Sequence, residues 1–265
     1  MVRKNSQSVV GYTMKRNIKI VVAYDGTNFS GWQVQRDQRT VQGVIEAGLK
    51  RMHGHSVKVI GAGRTDSGVH AVGQVANFVT DIDSIPAERY KDALNSYLPH
   101  DVRALKSEEV NLSFDSRRWA KARVYRYYIF NGDVGLPHLR NYCIKLRHRP
   151  DITALNGMAS LLVGEKDFTS FSAVRDGNES KIRRVYSASF YPEGNFIVFH
   201  IVANAFLWKM VRTIVGTILE LEESGMGVCE FKEILEKRDR ALAGATAPAR
   251  GLFLERVIYD ERELY

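Results

Sequence analysis

The chain has 265 residues, room for one large domain or two modest ones, and its 45% hydrophobic content supports a packed core, which excludes a disordered chain. Lysine and arginine total 38 against 30 acids, a net charge of +8, so nucleic acid is the first class of partner to weigh. Two distant cysteines, Cys143 and Cys229, argue against a disulfide framework and a cysteine zinc site, and no apolar run reaches the roughly 18 residues that span a bilayer.

Residues 1–16 read as a flexible N-terminal extension that lacks the apolar core of a signal peptide. IKIVVAY, residues 18–24, is a β-branched run stopped by Asp25-Gly26 and reads as a buried strand entering a turn. After the polar loop FSGWQVQRDQRT, Val41, Val44, Ile45, Leu49 and Met52 recur at helical spacing behind Thr40, a suitable N-cap. His53 and His55 at the end of this helix read as exposed polar residues rather than ligands, and no metal is expected. A short strand, VKVI, leads into GAGRTDSGVH at residues 61–70, QVANFVT has strand character again, and Pro86 opens a helix through AERYKDALNSYL. The polar stretch KSEEVNLSFDSRR then reads as an inter-domain crossing, with one α+β domain at 17–112 and a second at 113–265.

The second domain repeats the order of elements without clear sequence identity. It has a strand at ARVYRYYIF, a helix from about Thr153 to Leu162, strands at RRVYSASFY and FIVFHIVA, and a long helix from Leu207 to Leu221. The plan is α+β.

Three stretches carry chemistry. A glycine-rich loop that cradles phosphate does not want a carboxylate at its centre, yet Asp66 stands in the middle of GAGRTDSGVH beside Arg64. Gly61, Gly63 and Gly68 would give that loop backbone freedom to hold its side chains against a ligand. An Asp in such a loop either closes a turn on its own backbone, or serves as a nucleophile or ion-stabiliser at a sugar carbon while an arginine takes phosphate or pairs with it. In RVYRYY, Arg123, Tyr125 and Tyr127 fall on one strand face and Val124, Arg126 and Tyr128 on the other, which suits base stacking and backbone contact as well as it suits an ordinary half-buried strand. In FLWKMVRTIVG, Leu207, Met210, Val211, Ile214 and Ile218 make a buried stripe and leave Trp208, Arg212 and Gly216 stacked on another face. Arg212 either snorkels to water or meets a partner over the close approach that Gly216 allows, and Asp66 is the partner expected.

These stretches resemble the TruA family of tRNA pseudouridine synthases over nearly the whole chain, from about Ile18 to Asp260. The segments that carry the resemblance are YDGTNFSGWQVQ with TVQGVIE, GAGRTDSGVHAVGQVANF, ARVYRYYIF, DFTSF, NAFLWKMVRTIVG and ATAPARGLFLERVIY, of which GRTDSGVHA is the most specific. The resemblance implies a pseudouridine synthase fold of two similar α+β halves, with a mixed, largely antiparallel sheet and an active-site cleft between them. It also implies an isomerase that converts uridine to pseudouridine in the anticodon stem-loop of tRNA, at positions 38, 39 and 40, without metal or organic cofactor, as a homodimer; the two distant cysteines fit a reducing cytoplasm. By the same resemblance Asp66 is the catalytic carboxylate, Arg64 helps displace the target base and hold the flipped nucleotide, Tyr125 stacks on the target uracil, and Arg212 pairs with Asp66. The family usually shows a second proline in its last motif, where this chain has Pro248-Ala249-Arg250-Gly251, a departure that touches the pocket rim.

That chemistry explains the misplaced acid. Breaking the bond between N1 and C1′ builds cationic character on the sugar, which a carboxylate can capture or stabilise. A uridine in a stem must first be extruded, at a cost of a few kcal/mol that phosphate contacts and stacking offset, so the basic charge is expected along the cleft. An RNA-recognition module would share the charge and the aromatic strand but leave Asp66 without a task. A zinc deaminase needs H-x-E and C-x-x-C, and a nucleotide-binding loop needs GxGxxG or GK[ST]; the chain has none of these.

Overall fold

The computed structural model of the chain describes residues 15–264. Most of the expected N-terminal extension lies outside the described residues, but Arg16, assigned to it, already opens the first strand and pairs with Glu109 at 2.8 Å.

Strand β1 (Arg16–Tyr24) buries Ile18, Ile20 and Val22 on one face and half-buries Lys19 and Val21 on the other, the signature of a sheet covered on one side. Helix α1 (Val41–His53) starts where the Thr40 side chain accepts from the Gly43 N–H, and it stops at Gly54 in the left-handed region, φ 75°. Next come β2 (Ile60–Gly61), β3 (His70–Thr80), α2 (Tyr90–Asn95), β4 (Val102–Val110) and β5 (Ala122–Phe130). The second half adds β6 (Ile144–Lys145), α3 (Ile152–Ser160), β7 (Gly164–Asp167), β8 (Ile182–Glu193), β9 (Phe196–Ala203), α4 (Met210–Glu223), α5 (Val228–Lys237) and β10 (Leu252–Ile258).

The ten strands form one sheet in the order β4-β1-β3-β10-β5-β9-β8-β7, with β2 beside β3 and β6 beside β5. Pairing is antiparallel except where β10 meets β3 and β5 meets β6. This is the mixed, largely antiparallel α+β sheet expected. The last strand of the chain, β10, lies between β3 and β5, so the two halves share a continuous sheet. The buried apolar side chains of the five helices join one cluster with Ile18, Ile20, Tyr125, Tyr127, Phe199 and Leu254 of the sheet.

Several boundaries differ from the sequence expectation. The charged stretch read as an inter-domain crossing is strand up to Val110. β4 is the sheet edge, where Glu108 meets Lys19 at 2.6 Å and Lys106 at 3.1 Å, so its charge protects an exposed edge rather than marking a linker. The division at 112/113 falls in the loop that follows β4. The helix expected after Pro86 is a single 3-10 turn, Ala87–Arg89, and the short α2, because Asn95 spends its side chain on both backbone groups of Ala104 and Pro99 follows closely.

Helix α4 begins three residues later than expected. Lys209 is left-handed, φ 64°, and Trp208 gives its N–H to Asp176 Oδ2 at 2.6 Å, so Trp208 precedes the helix and does not share the face of Arg212 and Gly216. The buried stripe itself, Leu207, Met210, Val211, Ile214 and Ile218, is as expected.

Candidate active site

The segment from the last residue of β2 to the start of β3, residues 61–69, is fastened from several sides. Ala62 N–H donates to the Val75 carbonyl at 2.8 Å and Gln74 Nε2 to the Gly63 carbonyl at 2.9 Å, so β3 holds its first half. The loop after β1 holds the second half: Trp32 N–H donates to the Thr65 carbonyl at 3.1 Å, and Ser67 Oγ and Gly68 N–H both donate to the Phe29 carbonyl. Beneath them Tyr24 Oη meets Thr65 Oγ1 at 2.7 Å, and burial pushes the Tyr24 hydroxyl pKa well up, so it stays protonated. Only one of the three loop glycines is used for conformational freedom: Gly68 has φ +77°. Gly61 is required for space, since a Cβ there would run into the Trp32 indole, whereas Gly63 has open space and no positive φ.

The Asp66 side chain, 20% exposed, rises from this clamped loop into contact with α4, where Arg212 Nη1 donates to Asp66 Oδ2 at 3.0 Å. Arg212 is itself held: its Nε donates to the Ala247 carbonyl at 2.8 Å, and Ala247 N–H donates back to the Arg212 carbonyl at 3.0 Å. Gly216 makes this possible one turn later, because a Cβ there would overlap the Ala245 carbonyl oxygen and push the 245–247 strap away. Among the described residues Asp66 Oδ1 takes no hydrogen bond, so half of the carboxylate faces outward.

Tyr125 is buried beside this pair on β5, its ring edge-on to Phe206 with centroids 5.1 Å apart. Burial first, then electrostatic coupling to the Tyr24 hydroxyl and the negative charge of Asp66, push its hydroxyl pKa well up, which keeps the ring neutral. Arg64 is exposed and, among the described residues, makes no side-chain hydrogen bond or ion pair. The structure therefore brings Asp66, Arg212 and Tyr125 together, and leaves Arg64 at the mouth of the same loop.

Other residues hold the site together. The sequence leaves Arg123 equally open to ligand contact and to a place in an ordinary half-buried strand, and its guanidinium is spent inside: it donates to the carbonyls of Ala62 and Asn204, each at 2.8 Å, of Arg117 at 2.9 Å and of Ala120 at 3.2 Å. It thereby ties the Asp66 loop to the segment that enters α4. Arg126 likewise pairs with Glu255 at 2.7 Å and Glu193 at 3.2 Å on the opposite face of the sheet. Tyr127 donates its hydroxyl to the Pro248 carbonyl at 2.8 Å, and Gly251 lets that ring lie against the backbone. His70, at the end of the motif, accepts from Gly26 N–H through Nδ1 at 3.0 Å and reaches the Asn141 carbonyl through Nε2 at 2.9 Å. Burial lowers its pKa despite Asp25 nearby, as suits a neutral structural imidazole.

Asp176 is the other buried acid near the site, with a side chain 1% exposed. Burial raises its pKa, but Lys181 at 2.8 Å and the N–H groups of Trp208 and Asn178 outweigh that and leave the carboxyl well below the usual range. Among the described residues no group of three or more His, Cys, Asp or Glu is placed to hold a metal ion, and no helix is long and apolar enough to cross a membrane.

Comparisons with known proteins cover most of the chain. A family model described as tRNA pseudouridine synthase matches residues 20–117 and 158–260, which include Asp66, Arg64 and Arg212. A tRNA pseudouridine synthase A of Treponema denticola is 48% identical over 252 residues, covering 93% of this chain and 94% of that one. Proteins of the same name from a Thermoanaerobacter species and from Borrelia duttonii are 43% and 42% identical, each over 92% of this chain and the whole of theirs. A Cbf5-Nop10-Gar1 complex aligns with 89% of this chain and 57% of that one at a TM-score of 0.36 and 14% identity, a likeness too loose to argue from.

Proposed function

The chain belongs to the tRNA pseudouridine synthase family, and from that premise we propose that it isomerises uridine to pseudouridine in the anticodon stem-loop of tRNA, at positions 38, 39 and 40. The observation that carries the reading is the Asp66 carboxylate, held by Arg212 through Oδ2 with Oδ1 unengaged, in a loop fixed from both halves of the sheet.

In this mechanism the extruded uridine enters beside Tyr125 with its ribose toward Asp66. The N1–C1′ bond breaks, and the free carboxylate oxygen meets the positive character at C1′, either as a bond or as an ion pair. Because Arg212 is bonded to Ala247 as well as to Asp66, the carboxylate stays aimed without reorganising during the reaction. The detached uracil turns within the pocket, C5 bonds to C1′, and the hydrogen on C5 leaves while N1 gains a proton, so the product is an isomer of the substrate. Tyr125 confines the uracil during the turn, and Arg64, exposed at the loop, occupies the space from which the base is drawn or takes its phosphate.

The same reading includes a homodimer and a cytoplasmic location. The sheet face away from the helices, with Lys19, Val21, Arg126 and Tyr128 only partly covered, is open to a second copy. Cys143 and Cys229 are both free thiols, as a reducing compartment allows.

The test is incubation of the purified protein with an unmodified tRNA transcript, without added metal or cofactor, followed by mapping of pseudouridine. Product in the anticodon stem-loop is expected; none on any tRNA would overturn the reading, and product elsewhere would overturn the site of action. Tyr125→Leu is expected to lower single-turnover rates by about 100-fold or more while the tRNA dissociation constant changes by less than about fivefold, since it removes confinement at the reacting base rather than phosphate contact. Equal losses in both quantities would contradict that role.

A further inference from the structure

Among the described residues the side chains of Trp208 and Lys209 make no hydrogen bond or ion pair, yet the fold goes to some length to present them. Leu207 and Met210, on either side, are buried at 3% and 0% exposure, so the chain is anchored before and after the pair. Between those anchors Lys209 adopts the left-handed conformation, φ 64° and ψ 3°, which is strained for a residue with a Cβ. The distortion turns both side chains out: Trp208 is 45% exposed, and the Lys209 ammonium lies over its ring at 5.3 Å from the centroid.

A second loop locks this conformation. Asp176 Oδ2 takes the Trp208 N–H at 2.6 Å, Ala173 N–H donates to the Trp208 carbonyl at 2.9 Å, and Asp176 is fixed in turn by Lys181. Both backbone groups of Trp208 are therefore bound, and only its side chain is left without a task. The locking loop itself shows Val174, 88% exposed, and an exposed Arg175.

The position is next to the reaction. Phe206, two residues before, packs on Tyr125, and Arg212, four residues after, bonds Asp66. An exposed indole with a cation on one face, beside further basic and apolar side chains, has the composition of a surface for single-stranded nucleic acid.

We propose that Trp208 and Lys209 form a nucleotide platform beside the Asp66 site, where the indole stacks on an unpaired base next to the extruded uridine and the ammonium meets the adjoining phosphate. The proposal rests on the reading of the chain as a tRNA-modifying enzyme, and it adds the residues that hold the strand once the target has left the stack. Base stacking on an aromatic side chain of this kind is tolerant of sequence, so the platform serves different RNA substrates alike.

The experiment uses the full chain and an unmodified tRNA transcript, with dissociation constants measured over a range of salt. Trp208→Ala is expected to weaken binding about 5- to 150-fold with kcat at saturating tRNA changed by less than about threefold, and Trp208→Phe is expected to restore most of the affinity. Lys209→Gln is expected to reduce the slope of log K against log salt by about one. In a Trp119→Phe background, RNA is expected to quench the fluorescence of Trp208, since the remaining Trp32 is buried. Unchanged affinity in Trp208→Ala, or no quenching, would overturn the platform. A parent protein that binds tRNA but makes no pseudouridine would overturn the isomerase reading instead, while the affinity comparison still decides the platform.

Discussion

Replacing Asp66 with Ala is expected to reduce pseudouridine formation at least about 10⁴-fold, because it removes the group that meets C1′ when the glycosidic bond opens. The protein is expected to fold, since among the described residues the Asp66 side chain accepts a hydrogen bond from Arg212 alone, and the backbone of residues 61–69 is held by β3, Phe29, Trp32 and Arg123. Affinity for tRNA is expected to stay within about threefold, or to rise, because a negative charge is removed from a site that faces a polyanion. Single-turnover kinetics with filter binding separate the two quantities. Loss of binding in step with turnover would mean that Asp66 shapes the loop instead of reacting.

Replacing Arg212 with Lys is expected to lower turnover about 100-fold or more although the charge is kept. The guanidinium makes two bonds in different directions, Nε to the Ala247 carbonyl and Nη1 to Asp66 Oδ2, and an ammonium at the end of a flexible stem cannot hold both. Without the anchor to Ala247 the carboxylate loses its aim; without the bond to Asp66 a partly buried carboxylate loses its counter-charge. Rates measured under single turnover report this directly, and thermal unfolding of the variant checks that the 245–247 strap remains packed against Gly216. A lysine variant as active as the parent would mean that the ion pair is incidental.

Much of this was legible in the chain. The β-branched run of residues 18–24 and the Thr40 cap each depend on neighbours in sequence, and a strand and a capped helix form there, although the strand is buried on alternate residues rather than throughout. The contact between Asp66 and Arg212 was expected because a helix with a buried stripe and a glycine one turn beyond an arginine advertises a close approach at that arginine. What failed to show depends on partners far away in sequence. The start of α4 is set by Ala173 and Asp176, more than thirty residues upstream, which hold the carbonyl and the N–H of Trp208 and leave Lys209 left-handed, so the helical ladder opens only beyond them. Arg123 alternates with tyrosines as an RNA-facing arginine would, yet four carbonyls, of Ala62, Arg117, Ala120 and Asn204, consume it. Charge on β4 suits a linker and an exposed sheet edge equally well, and only the strand order decides between them. The insertion of β10 between β3 and β5, parallel to one and antiparallel to the other, has no local signature at all.

The central claim is that the Asp66 carboxylate drives exchange of the N1–C1′ bond for a C5–C1′ bond. It is tested most directly with tRNA carrying tritium at C5 of its uridines, since closing the new bond must release that hydrogen to water. The parent protein is expected to release tritium from the anticodon stem-loop and the Asp66→Asn protein to release none above background while still binding the RNA. Tritium release by Asp66→Asn at the parent rate would contradict the account.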